Sequence, residues 1–350
     1  MVTWGAGSTW QARRCPCEGT QALRRAALCH DRPVLADVAG VSRDDVEAAA
    51  ARIADRVRLT PVVHLEPGAV GVDVALTLKL ELLQHTGSFK PRGAFNKVLA
   101  AGAPTAGLVA ASGGNHGLAV AHVARELGVP AEVFVPASSS AVKVARLRTY
   151  GAQVTVTGDY YADAYAASQV RAAETGALVV HAYDQPETVA GQGTLGRELD
   201  QQLPGVDTVL VAVGGGGLVG GIAAWFAGHA RVVAVEPERI PTLAAALAAG
   251  RGVDVEVGGV AADSLGARRI GAVGFAAAQA AQVHSVLVTD QAILDARQQL
   301  WDGLRVAAEA GGATALAALT SGAYQPAQHE RVAVVICGGN TDPADLIPEA

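Results

Sequence analysis

Gln84-His85-Thr86-Gly87-Ser88-Phe89-Lys90-Pro91-Arg92-Gly93-Ala94 leads polar and glycine residues to one lysine, and then into Ala94-Phe95-Asn96-Lys97-Val98-Leu99, which reads as helix. Pro91 suits the first helical position, where its missing N–H costs nothing, so Lys90 is expected at or just before a helix N-terminus. Backbone N–H groups at such an end favour the neutral amine over the ammonium, as burial does. A lysine held there is a candidate nucleophile and proton acceptor. An arbitrary lysine is a surface lysine; what singles Lys90 out is the company it keeps further along the chain.

The elements that must position it follow from local pattern. Ser42-Arg43-Asp44-Asp45 has the form of a capping box, and Val46, Ala49, Ile53 and Val57 recur at helical spacing before Thr60-Pro61 stops the helix. Leu76 to Glu81 reads as a strand entering the lysine segment. Beyond it, strand-like and helix-like stretches alternate to the C-terminus, the signature of a largely parallel sheet covered by helices. Three of these units share one design. Gly107 to Ala111 runs into Ser112-Gly113-Gly114-Asn115-His116-Gly117, Val206 to Val213 into Gly214-Gly215-Gly216-Gly217, and Arg331 to Ile336 into Cys337-Gly338-Gly339-Asn340. Ligands of open α/β sheets bind beyond the carboxyl ends of strands, where glycines let N–H groups approach an anion. Three such turns point to a ligand with several polar handles.

Composition narrows the class. The 350 residues suggest about two domains; half are hydrophobic and 17% are charged, the profile of a helix-rich α/β enzyme. A net charge of -6 without a polybasic run argues against nucleic acid or an anionic membrane surface as partner. Cys15, Cys17 and Cys29 crowd the first thirty residues, and only Cys337 follows. Cys15-Pro16-Cys17 lacks zinc spacing, so no metal site is expected, and a nearly cysteine-free body fits a reducing cytoplasm. Residues 1–40 are neither signal peptide nor membrane span and are expected to be a disordered extension. His85, His122, His181, His229, His284 and His329 show no ligand spacing and read as surface or core residues.

The tetraglycine loop admits a second reading. Gly215-Gly216-Gly217-Leu218-Val219-Gly220 satisfies G-x-G-x-x-G, follows a strand, opens a helix, and precedes a strand that ends in Glu236, nearly a whole dinucleotide fingerprint. Four consecutive glycines instead place several N–H donors around one compact anion. The dinucleotide reading also leaves Lys90 and the Ser112 loop without a role, so a single phosphate fits better.

Taken in order, Ser88 to Ala94, Ser112 to Gly117, Gly214 to Gly217 and Cys337 to Asn340 resemble the fold-type II pyridoxal-phosphate enzymes, in the serine/threonine dehydratase and serine racemase branch, with similarity from about Val41 to the C-terminus. The resemblance implies an α/β fold like that of the tryptophan synthase β chain, in which each of two domains is an open, mainly parallel sheet flanked by helices. It implies a large domain from 41–106 and 185–350, a small one from 107–184, and a homodimer. It also implies that Lys90 holds pyridoxal 5'-phosphate as a Schiff base, that Phe89 packs on the ring, that Asn115 bonds its 3'-oxygen, and that Gly214, Gly215, Gly216 and Gly217 bind the phosphate. Cys337 would meet the pyridine nitrogen. The substrate carboxylate would be received around Ser112, Gly114, Asn115 and His116, with Ser264 lining the pocket and Glu309 near the cofactor edge. Asn340 would shape its own loop.

The chemistry accounts for these residue types. Lys90 would serve both as cofactor anchor and as general base at the substrate Cα, while the cofactor acts as electron sink and the β-hydroxyl leaves. A thiol at the ring nitrogen supplies no carboxylate to hold it protonated, which suits elimination over transamination. Departures from the family pattern refine this. Racemases of the branch carry a second serine in the Ser112 loop, on the opposite face of the cofactor; this chain has Gly113, which can carry no proton. The family's cation site pairs an acid at Glu236 with a second acid, and here that second position is Thr242. The expected activity is therefore deamination of L-threonine and L-serine to 2-oxobutyrate or pyruvate plus ammonia. Serine racemase and 3-hydroxyaspartate ammonia-lyase stand as alternatives, and a dinucleotide-binding protein as an alternative of another class. With the chain ending soon after Asn340, feedback control by isoleucine is not expected.

Overall fold

The computed structural model describes residues 40–347; the expected N-terminal extension, apart from Gly40, lies outside them. The capping box forms: the Ser42 hydroxyl accepts from Asp45 N at 3.2 Å, and the Asp45 carboxylate accepts from Ser42 N at 2.8 Å. The helix it starts, Arg43–Ile53, buries Val46, Ala49 and Ile53 but ends before Val57. Val57 is apolar because it packs, partly buried, on the core of the second sheet, and not because the helix continues.

Among the described residues, ten strands form two sheets. The first holds β1 (Val62–Leu65), β2 (Leu76–Lys79), β7 (Thr208–Ala212), β8 (Arg231–Pro237), β9 (His284–Val288) and β10 (Val332–Val335), in the spatial order β1-β2-β10-β7-β8-β9. Only β1 runs antiparallel to its neighbour; the other pairs are parallel. The second sheet holds β3 (Leu108–Ala111), β4 (Ala131–Val135), β5 (Gln153–Val156) and β6 (Leu178–Val179), in the order β5-β4-β3-β6, all parallel. Every residue of β2, β3, β7 and β10 is buried, as expected for strands sandwiched between helices, whereas the edge strand β5 is half exposed.

The helix Lys90–Ala101 carries Pro91 in its first turn and ends on Gly102 at φ +86°, the left-handed stop open to glycine. It crosses the helix Pro186–Gln202 closely: a Cβ on Gly191 would lie 2.6 Å from the Arg92 carbonyl oxygen. Its Ala94, Phe95 and Val98 enter the core of the second sheet together with Leu118 and Val120. The lysine segment therefore leaves the first sheet after β2 and anchors in the core of the second.

Candidate active site

Backbone pairing places the lysine. Phe89 N donates to the Cys337 carbonyl at 3.1 Å and Gly339 N to the Gly87 carbonyl at 2.9 Å, so the segment after β2 lies against the turn after β10. The Asn340 side chain donates to the Thr86 carbonyl at 2.8 Å and to Asn115 Oδ1 at 2.6 Å, which adds the turn after β3. Asn340, expected to shape its own loop, thus bonds across to two other turns.

Lys90, Phe89, Asn115, Cys337 and Gly214 to Gly217 line one cavity. Ser264, Glu309 and Tyr183 complete the wall. Ser112, Gly114, Asn115, His116 and Ser264 line the adjoining open cleft, and Lys90 lines both spaces. The site residues expected from sequence thus converge on one connected space.

Lys90 is half-buried, and its Nζ donates to the Ala182 carbonyl at 2.8 Å. Burial lowers its pKa to about 8, against the weaker upward pull of Cys337 and Glu309. Glu309 is buried, and loss of hydration raises its carboxyl to about 7, opposed by a 2.6 Å bond from Asn115 Nδ2. Burial likewise pushes the Cys337 thiol well above its ordinary range, so it stays protonated and donates to the Gly311 carbonyl at 3.4 Å. His116 is lowered to about 3 by burial and by Lys90; its ring Nε2 lies 2.8 Å from the Val180 carbonyl oxygen, so the neutral ring donates there. Its side chain ties the helix Asn115–Leu127 to the segment after β6.

The glycine loop can hold no side chain. A Cβ on Gly215 would lie 2.3 Å from the Tyr183 ring, and Gly216 sits at φ +89°. Among the described residues, the N–H groups of Gly214, Gly215 and Gly216 find no protein acceptor, and the helix Gly217–Phe226 begins directly behind them. Such donors in a largely buried turn call for an anion. A cavity that Lys90 and Phe89 line, with an amide-lined end for a phosphate, fits pyridoxal 5'-phosphate.

Tyr183 and Ala182 carry no motif, so sequence reasoning passed over them; the one signal for Tyr183 is the glycine at 215 that makes room for its ring. At the cleft mouth, Lys143 of the helix Ala141–Thr149 pairs with Asp263. Glu236 accepts from Leu243 N at 2.7 Å, Ala244 N at 2.8 Å and Ser285 Oγ at 3.0 Å. No cluster of three metal-ligating side chains occurs among the described residues, and none of their helices is long and apolar enough to cross a membrane.

Comparison with known proteins agrees with this geometry. The family profile described as pyridoxal-phosphate dependent enzyme matches residues 53–338. The L-threonine ammonia-lyase of Geobacter sulfurreducens is 37% identical over 302 residues, covering 85% of this chain and 75% of that protein. Among solved structures, maize serine racemase superposes with a TM-score of 0.81 at 33% identity, covering 88% of this chain and 96% of that one. The threonine deaminase of T.th. gives 0.79 at 36% identity, covering 86% of this chain and 99% of that one.

Proposed function

The chain belongs to the pyridoxal-phosphate-dependent enzymes, and from that premise we propose that it deaminates L-threonine and L-serine by β-elimination, releasing 2-oxobutyrate or pyruvate with ammonia. The observation that carries the reading is Lys90: a lysine with no carboxylate partner among the described residues that faces both the amide-lined cavity and the open cleft. When bound, the cofactor withdraws electrons from the substrate Cα.

The residues of this chain supply the rest. Lys90 Nζ would hold the cofactor, and with its pKa lowered to about 8 the same nitrogen takes the Cα proton when it is free. The amides of Gly214 to Gly217 would hold the phosphate, with Phe89 against the ring and Cys337 at its nitrogen. Asn115, whose amide is already oriented by Glu309 and Asn340, would meet the ring oxygen. The start of the helix Asn115–Leu127, with Ser112 and Gly114 before it and the backbone of His116 within its first turn, would receive the substrate carboxylate, and Ser264 would line the substrate side. Loss of the β-hydroxyl with the Cα proton, followed by hydrolysis, balances as hydroxyamino acid to 2-oxo acid plus ammonium.

Gly113 supports elimination over racemisation, because the loop position that faces the cleft there has no side chain to return a proton. The same reading takes 41–106 with 185–350 as the larger domain and 107–184 as the smaller, and treats the working enzyme as a cytoplasmic homodimer. The test is product analysis: full-length enzyme with L-serine should yield pyruvate in large excess over D-serine, and borohydride should fix the cofactor to the peptide that contains Lys90. Predominant D-serine would overturn the elimination reading, and a label on any other lysine would overturn the assignment of Lys90.

A further inference from the structure

The glycine loop is anchored through its carbonyls. Gly214 O accepts from the Thr242 hydroxyl at 2.6 Å, Gly215 O from Gly271 N at 3.0 Å, and Gly216 O from Gly220 N at 2.9 Å. Across a trans peptide the C=O of one residue and the N–H of the next point in opposite directions. Drawing each carbonyl toward the protein therefore turns the following N–H the other way, and these N–H groups have no protein acceptor among the described residues. Two of the three anchors are backbone groups. Thr242 alone is a side chain, and it holds the Gly214–Gly215 peptide shortly beyond the last sheet bond, from Val213 N to Val235 O at 3.0 Å.

Thr242 is buried, and a second acceptor competes for its one hydroxyl proton: Glu236 Oε1, at 3.2 Å. Glu236 is itself buried at the end of β8, yet it receives Leu243 N, Ala244 N and the Ser285 hydroxyl. Three other donors already serve the carboxylate, so the Thr242 proton goes to the nearer Gly214 oxygen. The carboxylate also grips the first turn of the helix Thr242–Ala249, which fixes where that hydroxyl stands.

We propose that Thr242 is a positioning residue for the phosphate loop, held in place by Glu236, and that this pair sets how tightly the loop grips the 5'-phosphate of the cofactor. The proposal rests on the reading of the glycine loop as the phosphate site. It gives the buried acid a role within the protein's own hydrogen bonding.

The test is the affinity of full-length protein for two probes, pyridoxal 5'-phosphate and pyridoxal, which lacks the phosphate. Each is measured by equilibrium dialysis against graded free ligand, with the bound fraction read from cofactor absorbance. Thr242→Val keeps the shape and removes the donor; it should weaken pyridoxal 5'-phosphate roughly tenfold, as loss of one hydrogen bond to an aligned peptide would, and leave pyridoxal nearly unchanged. Thr242→Ser should restore the wild-type value. Equal weakening of both probes, or of neither, would overturn the proposal. Should Thr242→Val fail to fold, Ser285→Ala makes the same test: with one donor lost, Glu236 competes for the Thr242 proton, and a phosphate-selective weakening is again expected, whereas unchanged affinities would overturn it. A wild-type protein that binds neither probe would refute instead the functional reading beneath the proposal.

Discussion

Lys79 and Lys90 lie at the two ends of the segment that joins β2 to the following helix, and their surroundings differ in exposure and, above all, in matched charge. Lys79, with no exposed surface, donates to the Thr60 carbonyl at 2.7 Å, to Gln202 at 2.6 Å, and to Glu198. Glu198 and Glu81 are shared in turn with buried Arg92, at 2.9 Å and 2.5 Å, and Thr60 donates to Glu81 at 2.7 Å. Two cations and two anions thus balance. Burial lowers Lys79, but Glu198 works against that, and Arg92 is held firmly charged. Lys90, among the described residues, has a carbonyl oxygen and the Phe89 ring for partners, no carboxylate, and a cavity beside it. Burial near matched charge makes an inert anchor, whereas burial without it makes an amine that loses its proton near neutral pH.

The comparison can be broken from either side. Lys90→Ala should cut turnover of L-threonine by roughly 10³-fold or more while leaving the denaturation midpoint nearly unchanged, because the charge removed was never matched. A variant that stays active, or one that unfolds, would erase the contrast. Glu81→Gln should do the opposite, lowering stability in a denaturant titration by about 3 kcal/mol through the poorly compensated Arg92 charge, while cofactor-free Lys90 keeps its lowered pKa.

Sharper versions use pH. If Lys90 is the base, kcat should fall about tenfold per pH unit once pH drops well below 8, since with substrate bound the nitrogen is free and as ammonium cannot take a proton. A profile flat to pH 6 would assign the base elsewhere. The smallest effect concerns His116. Its pKa of about 3 in the fold lies below the ordinary 6.5, so the unfolded chain binds the extra proton between these values. The contribution of His116 to stability is therefore present above 6.5 and is lost as pH falls through that window. His116→Gln should flatten the decline of Tm between about pH 7 and pH 5, and an unaltered slope would show that the ring is not held neutral.

Much was legible in the chain because the causes are local. A serine three residues before an aspartate caps a helix through bonds within one turn, Pro91 starts the next, and glycines after apolar strands mark turns where amides are bare. These features placed Lys90 at a helix start and the three turns at strand ends, where the structure has them. Val57 shows the limit of such reasoning: apolar spacing reports burial, and the surface that buries it belongs to another part of the chain.

What only the tertiary structure decided is which distant groups meet. The insertion of β10 between β2 and β7 sets Cys337 beside Phe89 and Lys90, and nothing near any of these residues encodes that order. The matching of Lys79 and Arg92 with Glu81 and Glu198, the absence of such a match at Lys90, and the packing of Tyr183 on Gly215 depend on side chains brought together by folding. Types and turns are properties of neighbours along the chain, so the sequence alone determines them; the charge state of a buried lysine depends on partners across space, and only the folded chain supplies those.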